Sequence, residues 1–189
     1  MKPIITLITI LFVSLLSSPS WSDTLTMDDL VERNDLYYKK FTDVPFTGEV
    51  SGKHQGSFKK GKREGVWISY YDNGQIRDKT NFKNGKHEGS HISYYDDGTL
   101  WVKTTMKNGK EHGLSEFYYS SDYGGRPQWK GHNTNGERDG DWIGWWDNGQ
   151  LHYKGKYVNG KEEGKWIVYS DDGSVSKEYT GFFKNGIKQ

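Results

Sequence analysis

Six histidines, 25 carboxylates and a large aromatic complement are the groups with which this 189-residue sequence could do chemistry; it has no cysteine. Without cysteine there is no disulfide, no thiolate zinc ligand, no cysteine nucleophile and no lipid-modified cysteine anchor. The histidines are His54, His87, His91, His112, His132 and His152, and a metal site or an acid–base pair would need several of them to converge. His87 and His112 instead occupy turn positions that hold Arg63, Arg138 and Glu162 elsewhere, and His91 stands where related segments have tryptophan. The triplets Asp72-Asn73-Gly74, Asp96-Asp97-Gly98, Asp147-Asn148-Gly149 and Asp171-Asp172-Gly173 lack the spaced oxygens and final Glu of a calcium loop and read as turns. Gly124-Gly125 does not lead from a strand into a helix, so it cradles no phosphate. Glu162-Glu163 and Asp171-Asp172 are pairs expected of solvated turns, whereas a glycosidase would need two carboxylates facing across a cleft. The sequence therefore predicts no catalytic residues, no metal site and no cofactor. Basic residues number 26 against 25 acidic, with no long run of either sign, so no nucleic-acid partner is expected.

Aromatic surface remains. With 8 Trp and 13 Tyr, a one-layer sheet cannot hide every ring, and exposed Trp and Tyr suit binding. Trp101, Tyr118, Tyr119, Tyr123, Arg126, Trp129, Trp145 and Trp146 form the candidate binding surface. Residues 120–126, which interrupt an otherwise regular array, are the candidate functional loop.

The elements that position these residues follow from a repeat. Gly65, Gly89, Gly113, Gly140 and Gly164 are spaced by 24, 24, 27 and 24 residues, and so are Gly61, Gly85, Gly109, Gly136 and Gly160. Two independent marks keep one period and share one three-residue insertion. Each unit holds an aromatic strand such as residues 66–71, an Asp-Asn-Gly or Asp-Asp-Gly turn, and a second strand of alternating character. Asn-Gly and Asp-Gly steps accept positive φ and match hairpin twist. After Gly74, Ile76, Asp78, Thr80 and Phe82 fall on one face, with Arg77, Lys79, Asn81 and Lys83 on the other. Equivalent residues then stack in rows: Ile68, Ile92, Ile143 and Ile167; Tyr70, Tyr94, Trp145 and Tyr169; and Trp67, Trp142 and Trp166, interrupted by His91 and Ser115. The expected fold is all-β, an elongated single-layer antiparallel sheet of about 11 strands in tandem hairpins, with neighbours stabilising one another.

The ends differ. Lys2, an apolar run over residues 4–16 and the small residues of Ser20-Trp21-Ser22 have the layout of a signal peptide over 1–22, cleaved near Ser22-Asp23. The run is shorter than the roughly 20 residues a membrane helix takes, so the chain is expected to be exported, to the periplasm or beyond. Without Lys2 it carries 25 basic and 25 acidic groups. Residues 23–35 read as a cap with a short helix opened by Thr26-Met27-Asp28-Asp29 and running to about Arg33. A degenerate first hairpin over 36–61 precedes units of about 62–85, 86–109, 110–136, 137–160 and 161–189.

The segments Tyr70-Tyr71-Asp72-Asn73-Gly74-Gln75-Ile76 and Phe82-Lys83-Asn84-Gly85-Lys86-His87-Glu88-Gly89 resemble the variant MORN (membrane occupation and recognition nexus) repeat. Trp145-Trp146-Asp147-Asn148-Gly149-Gln150-Leu151 with residues 157–166 resembles it still more closely. The resemblance covers roughly residues 36–189 and is similar to the YwqK-family antitoxins of toxin–antitoxin systems. It implies a twisted sheet of hairpins and a non-catalytic scaffold that binds a protein, antitoxin- or immunity-like. Glycan or lipid recognition at the cell envelope is the alternative implied by the aromatic face.

Overall fold

The computed structural model describes residues 25–189, so the signal peptide expected over residues 1–22 lies outside the described part. The described chain is nearly all β. Strands β1 (Leu30–Arg33) and β2 (Leu36–Lys39) form a small hairpin. Thirteen further strands form one open antiparallel sheet in strict chain order. They are β3 (Gly48–Val50), β4 (His54–Lys59), β5 (Lys62–Tyr70), β6 (Ile76–Lys83), β7 (Lys86–Tyr94), β8 (Leu100–Lys107), β9 (Lys110–Tyr118), β10 (Pro127–Thr134), β11 (Glu137–Trp145), β12 (Leu151–Val158), β13 (Lys161–Val168), β14 (Gly181–Lys184) and β15 (Ile187–Lys188).

Two kinds of turn alternate. The Asn84-Gly85 turn links Lys83 to Lys86 with both residues at positive φ, 52° and 82°, and its counterparts Asn108-Gly109, Asn135-Gly136 and Asn159-Gly160 do the same. This is the two-residue turn whose twist matches that of the strands. The acidic triplets are built differently, because only their glycine is left-handed. Gly74 N–H donates to Tyr71 O at 3.0 Å and Tyr71 N–H to Gln75 O at 2.8 Å. Asn73 Oδ1 accepts the Gln75 N–H at 3.0 Å, so the side chain fixes the turn. Asn73 and Asn148 also donate to the Asp96 and Asp171 carbonyls, tying each turn to the next.

A one-layer sheet must bury large side chains under its own strands, and one row of residues does this. Across β4 to β13 it reads Gly56, Trp67, Thr80, His91, Thr104, Ser115, Gly131, Trp142, Gly155 and Trp166. Large and small alternate except at Ser115, which is small between Thr104 and Gly131. A Cβ on Gly56, Gly131 or Gly155 would overlap the indole of Trp67, Trp142 or Trp166 respectively. Each indole N–H reaches a carbonyl on the strand it covers: Ser57 at 3.1 Å, His132 at 3.0 Å and Lys156 at 3.1 Å. Trp142 keeps only 2% of its surface exposed and Ser115 none. Where tryptophan is missing, threonine replaces glycine: Thr80 Oγ1 lies 2.7 Å from His91 Nδ1 and Thr104 Oγ1 2.5 Å from Ser115 Oγ.

The N-terminal end departs from expectation in two ways. The expected short helix is a single 3-10 turn, Met27–Asp29, and Leu30–Arg33 continues as strand. Thr26 N–H and Oγ1–H both donate to Asp29 Oδ2, so the cap forms. The next four residues pair with β2 through Asn34 and Asp35, both at positive φ, which a short segment does more readily than it nucleates a helix. Residues 36–39 therefore pair with β1 as well as reaching 45–46, where Phe46 N–H donates to Tyr37 O at 2.8 Å, and β3 pairs with β4. The cap closes the packed face: Leu30, Val50, Phe58, Trp67 and Phe82 form a buried cluster against Leu25, Met27, Tyr37 and Phe46.

The insertion expected over 120–125 forms a 3-10 turn, Ser121–Tyr123, followed by left-handed Gly124 and Gly125. Tyr119 N–H donates to Arg126 O at 2.8 Å, so pairing resumes at once.

The alternating row makes a signed prediction. An ordinary strand glycine gains about 0.4–1 kcal/mol on becoming alanine. Gly131→Ala and Gly155→Ala should instead lose about 1–3 kcal/mol by overpacking. Urea unfolding followed by circular dichroism decides; a raised midpoint in either variant would refute the row as the core.

Candidate binding surface

The two faces of the sheet have different work. On the packed face Arg63 lies over the Trp67 ring at 4.8 Å and Arg138 over the Trp142 ring at 4.3 Å, closing the row from the turn side. The middle of that face is polar. Asp78 accepts from Ser69 Oγ, Arg77 Nε and Ser93 Oγ, each at 2.7 Å. Burial raises the Asp78 carboxyl, but these hydrogen bonds outweigh it and leave the pKa below the ordinary value. Ser93 Oγ also lies 3.2 Å from His91 Nε2. The order is acid, hydroxyl, imidazole, and the Ser93 proton goes to the carboxylate. An activated nucleophile needs the imidazole between acid and hydroxyl, an order that this network does not have. Asn133 Nδ2 completes a second such network with Glu111 at 2.8 Å and Ser115 at 3.0 Å. Among the described residues no group of three or more His, Asp or Glu side chains is placed to hold a metal.

The opposite side is the open face. Its central row reads Ile68, Lys79, Ile92, Lys103, Glu116, Lys130, Ile143, Lys154 and Ile167, one residue from each of nine consecutive strands. Isoleucine and lysine alternate except at Glu116. The lysines are exposed and the isoleucines half-buried. Over β9 to β13 this face carries a groove of about 800 Å³ lined by Leu114, Lys130, His132, Ile143, Lys154 and Ile167 among others.

The candidate residues divide. Trp101, Tyr118 and Trp145 lie on the open face beside the lysine–isoleucine row; Trp101 is 43% exposed, and Lys130 Nζ stands 5.9 Å over the Trp145 ring. Trp129 lies on the packed face, stacked on Phe117 at 3.7 Å and tilted on Trp142 at 5.0 Å. Tyr119 and Trp146 are staples between units. Tyr71, Tyr95 and Tyr119 donate their hydroxyls to the carbonyls of Tyr94, Tyr118 and Trp145 at 2.8, 2.9 and 3.0 Å, and Trp146 Nε1–H donates to Tyr169 O at 3.1 Å. Trp146 also stacks on His152 at 3.6 Å. Tyr123 and Arg126 sit at the turn edge; Arg126 Nη1 donates to the Asp147 carbonyl at 3.3 Å, and Tyr123 is 51% exposed. The line of lysines is not apparent within any one strand, because only the register of neighbouring strands brings Lys79, Lys103, Lys130 and Lys154 together.

Burial holds the imidazoles of His54, His87, His91 and His152 below their ordinary value. The unfolded chain then binds more protons, so their stabilising contribution is complete above the ordinary value of about 6.5 and is lost as pH falls below it. The urea midpoint should fall between about pH 7.5 and 5.5, and by less in His91→Gln. A midpoint that rises on acidification would contradict the neutral packing of these rings.

No curated protein matches the chain. Residues 63–84, 88–108 and 138–159 match the family model of the MORN repeat variant. The matched stretches correspond to β5 with β6, β7 with β8, and β11 with β12, each a hairpin closed by an acidic triplet. Three hairpins of the one antiparallel sheet are thus similar to the MORN repeat variant.

Proposed function

We propose that the chain is an exported, non-catalytic scaffold that binds a protein partner through the open face. The observation that carries this reading is the division of labour between faces: the packed face uses its rings and polar groups internally, while the open face displays exposed lysines between half-buried isoleucines. Binding or scaffold roles are common among MORN repeats and compatible with this array. From the resemblance of the repeat motifs to YwqK-family antitoxins we further propose that the partner is a toxin or effector that the chain restrains. Interfaces of this kind draw on aromatic and aliphatic anchors with a charged rim, which Trp101, Ile143 and Ile167 with their lysine neighbours supply.

A second reading, glycan recognition, is supported by a hollow of about 590 Å³ on the packed face. Tyr153, Tyr157, Trp166, Tyr179 and Phe183 line it with Arg138. Titration with cell-wall oligosaccharides, read by tryptophan fluorescence, should leave the spectrum unchanged if the partner is a protein alone.

Export is tested by fractionation and N-terminal sequencing: the mature chain should be recovered outside the cytoplasm, beginning at Asp23. Retention inside with Lys2 intact would refute it. Binding is tested by co-purification with the wild-type chain and with Ile143→Asp, whose fold is checked by circular dichroism. One partner at near-stoichiometric amount should be recovered by the former and lost by the latter. Equal recovery by both would remove the open face from the interaction.

A further inference from the structure

The lysines of the open face stand on alternate strands. Lys79 is on β6, Lys103 on β8, Lys130 on β10 and Lys154 on β12, and register places all four in one line. Strands lie about 4.8 Å apart, so successive lysines are separated by about 9.6 Å along the line. All four are exposed, and none forms an ion pair among the described residues. Resting on the reading that the open face receives the partner, we infer that this line binds an extended acidic segment of the partner, with a carboxylate at every third residue.

The spacing selects the ligand. A polypeptide extended as a polyproline II helix advances about 3.1 Å per residue and completes a turn in three, so every third side chain faces the same way about 9.3 Å apart, close to the lysine interval. A segment laid across the strands would place one Asp or Glu over each lysine. The residues between would meet Ile92 and Ile143, and only Glu116, between Lys103 and Lys130, would ask for a polar or basic residue opposite it. The shape of the sheet disfavours a flat anionic surface. Strands in a sheet rotate by roughly 20–25° from one to the next, so side chains six intervals apart diverge by about 120–150°. A membrane plane cannot meet Lys79 and Lys154 together, whereas a flexible chain can follow the turn.

The test uses the full chain and two synthetic peptides of one composition. One has glutamate at every third residue; the other has the same glutamates in a single block. Calorimetric titration at low salt should give the spaced peptide about tenfold higher affinity, lost at high salt. Lys103→Glu with Lys130→Glu should abolish the preference, as should Lys79→Glu with Lys154→Glu, a second pair that keeps the test open if the first variant misfolds. The spaced peptide should also displace the captured partner. Equal binding of the two peptides, or tighter binding of a sulfated glycan or anionic vesicles, would overturn the inference. If Ile143→Asp abolishes capture but the spaced peptide fails to compete, the acidic-segment inference falls while the open-face interaction stands. If capture is unaffected by Ile143→Asp, the open-face reading itself falls.

Discussion

A sheet with no second layer has to cover its largest side chains with its own backbone, and the alternation of tryptophan with glycine meets that constraint. Trp67, Trp142 and Trp166 can lie flat only because Gly56, Gly131 and Gly155 leave the neighbouring strand bare, and each indole N–H then finds a carbonyl there. Burial and hydrogen bonding are satisfied together, so the cost of taking a polar N–H out of water is offset. The same row explains the polar middle of the array: where threonine stands in place of glycine, His91 and Ser115 stand in place of the indole and lie within hydrogen-bond distance of its hydroxyl.

The constraint also divides the faces. Side chains on the packed side are committed to the fold, with Arg63 and Arg138 over the indoles and Asp78 satisfied by three donors. The hydroxyls and indole of the Tyr71, Tyr95, Tyr119 and Trp146 series join each unit to the next. What is left over is the open face, where one lysine per hairpin repeats at the interval of the array itself. A repeat protein built this way offers a periodic surface at no cost to its core, which suits recognition of a partner that is itself regular.

Much of this was legible in the residues. Paired glycines at a fixed interval gave the hairpins, and the interrupted tryptophan row was visible at Trp67, His91, Ser115, Trp142 and Trp166. The compensating row was present too. Gly56, Thr80, Thr104, Gly131 and Gly155 each precede their partner by 11 residues, a spacing that has meaning only once strand register is known. Tyr119 and Trp146 could not be told from open-face rings by sequence, because adjacent residues past the bulged strand end change direction. The helix expected after Thr26 yielded to a pairing that depends on Asn34 and Asp35 accepting positive φ without glycine.

The division of faces is tested most directly by quantitative acetylation of lysines, with and without the bound partner. Lys79, Lys103, Lys130 and Lys154 should become protected together, while the turn lysines Lys62, Lys86, Lys110 and Lys161, equally exposed in the free chain, stay reactive. Protection of the turn lysines with the central line still reactive would contradict the assignment of the open face as the binding surface.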